Sequence, residues 1–575
     1  MNFCRFKYEG LLPWILCVSI FAAVAAPVGD AEAAPGGQAP RFIDHSVLVA
    51  SDYPCAWPES WPLFQILHYR KIGFLSPYNI DILGLDPNTG TQMDTPPHSI
   101  PLEGSGLPYE GPAGVLFTEK IPAWQFGGEA CVIDIRELRG KAKPGHSPFV
   151  QPEHVKSWEK SHRPLRFGDV ALFRSDHSDL YYKPFPEGRK FVAECVEGKV
   201  TAYPNPHPDT LEYVASKKVM HMGTDSPSMG PLPELANLTH VAGLKHGGIF
   251  TEAATRLGEL PTTGAFYCMM GPKHVGGAYG EGRAFSIVGD PLARRLIDSV
   301  RKKRAVDLSV EMAGNLPVWW PGAGVGRHRQ PYYRIDFKYA PSIDYHHNMH
   351  LLDSHTGTHL VPPSYALPEK GFDNATYAPE VRTWLAEYEE RYGRRGTSDV
   401  TTEKVPLSAT CGPARVIDVR HLVGSTKKED WPRSPEITVG DIERAEKRDG
   451  PLKSGDVVIF HSGHTDRHFK PFPEGSACLA DPLNGQSEGW PSPGPDAIKY
   501  LAGKGIRCVA TDGPTLGGAS PRRALMTYWA LGTSGMVGVE FLINVGKIPR
   551  GTYFLFAPVR IRDCHGGPGR AIGLY

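Results

Sequence analysis

No Cys-x-x-Cys pair occurs anywhere in the 575 residues, so a zinc ribbon or a thioredoxin-type redox site is excluded on spacing. Net charge is missing as well. The 62 Lys and Arg balance the 62 Asp and Glu, which leaves no overall electrostatic case for nucleic acid or an acidic membrane surface as partner. Beyond the N-terminal stretch no segment is long and apolar enough to cross a bilayer, so no stable membrane span is expected once that stretch is removed. Basic clustering is confined to Arg294-Arg295 and Arg301-Lys302-Lys303-Arg304, which reads as a solvated linker or helix face.

What is present points to a large globular chain. At 575 residues more than one domain is expected. A hydrophobic share of 41% is ample for real cores, and 63 Gly with 54 Pro suit many short strands joined by ordered loops. The N-terminus reads as an export signal. Arg5 and Lys7 precede an apolar stretch from Leu11 to Ala26, and Ala31-Glu32-Ala33 offers a small-x-small cleavage site. Pro27 disfavours a cut after Ala26, and Pro13 breaks a run already short for an uncleaved anchor. The expected division is a signal peptide at 1–33, a flexible leader at 34–40, and an exported mature chain in the periplasm, cell envelope or exterior. Eight cysteines follow the leader; export permits disulfides, but spacing assigns no pairing.

Internal repetition decides the architecture. IDHSVLVASDYPCAWP at 43–58 matches VDLSVEMAGNLPVWWP at 306–321, and CVIDIREL at 131–138 matches RVIDVRHL at 415–422. GDVALFRSDHSDLYYKPFPEG at 168–188 matches GDVVIFHSGHTDRHFKPFPEG at 455–475, and HMGTDSPSMG at 221–230 matches CVATDGPTLG at 508–517. The identical KPFPEG segments suggest a shared turn or a contact between halves. The mature chain is thus a tandem duplication, with domains expected at 41–300 and 301–575. Each half reads as α/β. Val132–Ile135 and Val170–Phe173 have the composition of buried strands. Asp209 to Ser216 and Asp496 to Lys504 have helical spacing and precede strands at Val219–Met222 and Arg507–Ala510.

One loop also occurs twice, as NTGTQMDTPPH at 88–98 and HTGTHLVPPSY at 355–365. It resembles the His-x-Gly-Thr-His-x-Asp-x-Pro-x-His motif of the kynurenine formamidase/cyclase-type metal-dependent hydrolases, and the resemblance covers essentially the whole mature chain. It implies an α/β fold of two tandem swivelling β/β/α domains packed as a pseudo-dimer, with a further homo-oligomer left open. It also implies hydrolysis of formyl-amide or cyclic-amide bonds with Zn²⁺ or Mn²⁺. In the first half Asn88 and Gln92 replace two ligand histidines, while Asp94 and His98 are kept. THVAGLKHGGIFTEA supplies the family's second ligand pair as His240 and Glu252, with Gly247-Gly248 as the break between helix and strand. By resemblance, Asp94, His240 and Glu252 hold a metal and His98 is the acid/base. Asn88 and Gln92 could add only weak carbonyl ligation, favouring a harder ion such as Mn²⁺.

The second half departs in the complementary way. His355, His359 and Glu540 remain as metal-ligand positions, but Val361, Tyr365 and Tyr528 replace the Asp, the acid/base His and the helical His. Trp57 and Trp320 match a position where the family lines its substrate pocket with an aromatic. His346, His347 and His350 occupy no family ligand position and read as surface or core residues. The resulting expectation is an exported hydrolase of a small amide or lactam, active in the first half. The alternative is a catalytically dead duplication that binds a ligand or metal or serves as a scaffold. A third arrangement has ligands of the two halves completing one another across their interface.

Overall fold

The computed structural model describes residues 40–58, 63–318, 333–337 and 347–575, with the backbone alone for 333–337, 347 and 348. The expected signal peptide, the leader before Pro40, Trp320 and His346 lie outside the described residues. The apolar runs around Val132 and Val170 form adjacent parallel strands, Gly127–Asp134 and Asp169–Arg174, in register from Glu129 opposite Asp169. Both are buried on both faces, which is why they read as continuous apolar runs rather than alternating ones. Their repeat mates, Cys411–Asp418 and Val457–His461, pair in the same way.

The first sheet has nine strands. In spatial order they are Arg41–Asp44, Arg283–Val288, Phe266–Met270, Gly127–Asp134, Asp169–Arg174, His221–Thr224, Ile249–Glu252, Gln92–Asp94 and Tyr279–Glu281. The second, eight-stranded sheet draws on residues 305–574 and closes on itself, because Gly567–Leu574 pairs with both His359–Val361 and Tyr553–Pro558. In the first half the corresponding stretch is divided at Gly282, where a Cβ would lie 2.3 Å from the Met270 carbonyl oxygen. Closure removes exposed strand edges.

The expected helices appear as Pro208–Ser216 and Pro495–Gly503, each opened by the proline that suits a first helical turn. The strands after them start later than the composition suggests, at His221 and Cys508, because the helix exits use up the preceding residues as turns. The basic run lies on the helix Leu292–Arg301 and the turn after it. Arg294 is mostly exposed, but Arg301 departs from a purely solvated face: it reaches Glu129 and Asp169.

The two halves share structure. Strand Ile80–Leu85 of the first pairs antiparallel with His347–Asp353 of the second, Leu83 opposite Leu352 and Leu85 opposite His350. The core around Phe266, Phe285 and Leu296 continues into Leu407, Tyr553, Leu555 and Ile572. Pro40–Tyr575 accordingly forms one compact unit. The KPFPEG turns act within each half. Phe185 N–H donates to Asp52 O and Phe472 N–H to Asn315 O, so each turn is tied to the N-terminal segment of its own copy. All eight described cysteines are buried thiols. Among the described residues no helix is long and apolar enough to cross a membrane.

Candidate metal centre

The loop at 88–98 turns at Gly90, whose φ of +73° and close approach to Val49 admit no side chain. It then enters the short strand Gln92–Asp94, held between Ile249–Glu252 and Tyr279–Glu281. Gln92 lies opposite Glu252, and alternation along the strand puts Asp94 on the same face. The helix Ala236–Leu244 brings in His240, and Gly247, at φ +79°, turns the chain into the strand that carries Glu252. His98 ends the Pro96–His98 turn. Four residues far apart in the chain thus meet on one face because a loop, a helix and a strand are fixed by the same sheet.

Their geometry is tight. His240 Nε2 lies 3.4 Å from Asp94 Oδ2 and 3.3 Å from Glu252 Oε1. Its other nitrogen, Nδ1, faces the Ala236 carbonyl at 2.7 Å, which fixes the ring and presents Nε2 to the carboxylates. The His98 ring meets His240 edge-on at 5.4 Å and Tyr279 at 4.9 Å. Ligand atoms of Asp94, His98 and His240 lie within 4.8 Å of one another. Both Asp94 oxygens are buried, and Oδ2 has His240 Nε2 as its neighbour. Burial, and then the charge of Glu252, push the Asp94 carboxyl well above the usual carboxylate range. Burial disfavours the imidazolium of His240, yet the hydrogen bonds and charge of Asp94 and Glu252 outweigh it and raise its pKa to about 10. A pocket that raises a buried imidazole in this way is built for positive charge. Two carboxylates and an imidazole fit a divalent transition ion.

Asn88 and Gln92 brace one another. The Gln92 amide donates to Asn88 Oδ1 at 2.9 Å and to Glu252 Oε2 at 2.7 Å, while Met229 N–H donates to Glu252 Oε1 at 2.5 Å. Trp57 lines a narrow crevice with Asn88, Gln92, Phe191 and Pro227, directly over this edge of the site.

The second half closes the equivalent place with aromatics. His359 Nε2 lies 3.1 Å from Glu540 Oε2, but Glu540 Oε1 accepts from the Tyr528 hydroxyl and from Leu516 N–H, each at 2.6 Å. Tyr365 packs on His355 at 4.6 Å and on Tyr528 at 5.0 Å, and Val361 is buried in the core. Tyr78 of the first half stacks on Tyr365 at 4.7 Å and meets Tyr528 edge-on at 5.8 Å. Burial pushes all three phenol hydroxyls upward, so they remain protonated donors. Among the described residues, the groups whose ligand atoms converge within 4.8 Å include Asp94, His98 and His240 of the first half, and neither Glu252 nor the set His355, His359 and Glu540. His355 and His359 lie beside their own half's Glu540 and Tyr365, while Asp94 meets first-half residues. Tyr78 has no motif spacing that would have announced it. Its place follows only from the pairing of the halves.

The pattern of one family, described as "Putative cyclase", matches residues 43–231 and again 306–517. The chain belongs to the cyclase family. It does so twice over, in the order that the repeats require. An isatin hydrolase of Roseibium aggregatum is 26% identical over 234 residues, 40% of this chain and 74% of that protein. Among solved cyclase-fold structures, isatin hydrolase A from Labrenzia aggregata, bound to benzyl benzoate, is 20% identical with a TM-score of 0.36. It covers 49% of this chain and 99% of its own. Isatin hydrolase A from Ralstonia solanacearum is 21% identical with a TM-score of 0.34, covering 47% of this chain and 91% of its own.

Proposed function

We propose that this cyclase-family chain is an exported, metal-dependent hydrolase that cleaves the carbon–nitrogen bond of a small amide, with its one active centre in the first half. The observation that carries the reading is the buried cluster of Asp94, His240 and Glu252 with His98 against it. Zn²⁺ or Mn²⁺, if bound there, would supply an acidified water and polarise the substrate carbonyl. Asp94, His240 and Glu252 would hold the ion, and Ala236 O keeps His240 Nε2 turned toward the two carboxylates. His98 accepts a proton from the attacking water and returns it to the leaving nitrogen. Trp57, over the crevice, offers a face on which an aromatic ring can stack. The isatin hydrolase relative favours a cyclic amide over an open formamide as the substrate class. The N-terminal charge and apolar pattern supports export.

The second half is read as a scaffold. Tyr528 and Tyr365 fill the places of two catalytic-type histidines, and Tyr78 seals them from the first half.

His98→Ala is expected to lower kcat on isatin-like lactams by about 10²–10⁴-fold while the metal content stays at the wild-type level. A panel of lactams, lactones and formamides, assayed with Zn²⁺ and with Mn²⁺, measures this. Wild-type rates in the variant would remove His98 from the chemistry. A chain that retains neither ion and gains no activity from either would favour the catalytically dead alternative.

A further inference from the structure

We propose that His274, Glu281 and His350 hold a second divalent cation, of the zinc class, at the junction of the two halves. His274 and Glu281 come from the first half, and His350 comes from the strand that the second half lays against Ile80–Leu85. His274 Nε2 lies 3.1 Å from Glu281 Oε1, and the His274 and His350 rings lie 3.9 Å apart between centroids. Ligand atoms of all three fall within 4.8 Å of one another, and each residue is at most 1% exposed. Ligands on a tetrahedral zinc ion stand about 3.3 Å apart, given bonds of about 2.0–2.1 Å. Two imidazoles and one carboxylate are a donor set that zinc accepts, with a further position left for another ligand.

Two other observations separate this trio from an incidental buried ion pair. Glu281 Oε2 is buried with no hydrogen-bond partner among the described residues, a costly state for a carboxylate oxygen unless a cation neutralises it. The repeat shows further that the fold does not need polar groups at this place. His274 bridges to Met312 just as Ile561 bridges to Val49, and Glu281 faces Gln92 as Pro568 faces His359. His350 faces Leu85 as Leu83 faces Leu352. The symmetry mates of the trio are therefore Ile561, Pro568 and Leu83, all buried, two of them in one apolar cluster. At these three positions one copy is apolar and the other carries three metal-ligating side chains. Glu281 sits on the strand beside Gln92, so the second ion stands next to the proposed active centre without sharing a ligand with it.

The test uses the full chain, stripped with a chelator and titrated with Zn²⁺, with bound metal counted by mass spectrometry. In the Asp94→Asn/Glu252→Gln variant one equivalent is expected to remain. Adding His350→Leu, the residue at the related position of the other copy, should remove it and abolish the Zn²⁺-induced rise in Tm. No Zn²⁺ bound to the double variant, or an equivalent that survives His350→Leu, would overturn the proposal. Zinc-edge anomalous scattering from wild-type crystals gives an answer even if a variant fails to fold. A peak bonded to His274 and Glu281 supports the site, and a peak at Asp94 without one there overturns it. If His350→Leu loses an equivalent while Asp94→Asn loses none, the active-centre reading fails and the junction site stands.

Discussion

At the helical ligand position the two copies differ by a phenol in place of an imidazole. Where the first half has His240 between Asp94 and Glu252, the second has Tyr528, whose phenol donates to Glu540 at 2.6 Å. The tyrosine supplies one proton and one fixed bond in place of a cation. Removing the hydroxyl leaves a buried carboxylate short of a donor, a loss on the order of 1–3 kcal/mol. Tyr528→Phe should therefore lower unfolding stability by about that amount in guanidinium titrations, with hydrolysis unchanged, because the proposed chemistry lies in the other half. A large fall in kcat in that variant would contradict the division of labour between the halves. The positions of Asp94, His98, His240 and Glu252 were legible because family motifs preserve spacing along the chain. The trio His274, Glu281 and His350 was not, since its members come from three segments in two halves and share no local spacing. Comparison of the repeats position by position contained the signal: two histidines and a glutamate stand where the other copy carries Ile561, Pro568 and Leu83.

The KPFPEG turn shows how an element that carries no chemistry can serve it. A Cβ on Gly188 would lie 2.1 Å from the Lys183 carbonyl oxygen and 2.9 Å from Pro54 Cδ, and Gly475 meets Lys470 and Pro317 in the same way. Pro54 belongs to the segment that carries Trp57, so a push at Gly188 is transmitted to the mouth of the crevice. Gly188→Ala and Gly475→Ala should each cost about 1–3 kcal/mol through overpacking. Gly188→Ala alone should raise KM several-fold. Equal KM values in the two variants would remove Trp57 from substrate binding. The sequence revealed this turn as an identity between halves, with a shared turn or an inter-half contact as its two readings. The hydrogen bonds Phe185 to Asp52 and Phe472 to Asn315 favour the shared turn within each half. Strands and helices were legible wherever composition is dominated by burial, as at Val170–Phe173. They slipped by two residues at His221, where a buried Val219 precedes the ladder without joining it.

Because one apolar core runs from Phe266 through to Tyr553 and Ile572, neither half can expose its inner face without disturbing the other. The metal-loaded chain should accordingly unfold in one transition, and its acid stability should reflect the imidazoles buried throughout. His45 sits against Thr255 O and Ser286, His177 against Phe191 O, and His464, the repeat mate of His177, against Cys478 O. Burial, which disfavours the imidazolium, lowers each of these to about 4, and lowers His221 to about 3. Above pH 6.5 these groups are neutral in both the folded and the unfolded chain, and stability is insensitive to them. As pH falls from 6.5 toward 4 the unfolded chain takes up protons that the folded chain refuses, so stability declines with each step. Every proton taken up in this way costs about 1.4 kcal/mol per pH unit. Four such groups contribute about 5 kcal/mol per unit near pH 5, of which the buried Asp225 carboxyl, raised to about 7, offsets about 1.4 because the folded chain binds its proton first. Guanidinium midpoints measured at pH 7.5, 6, 5 and 4.5 should therefore fall steeply only below 6.5, and His177→Gln should remove about a quarter of the histidine contribution. A midpoint constant from pH 7.5 to 5 would mean that these histidines are protonated in the folded chain, against the apolar surroundings in which they lie.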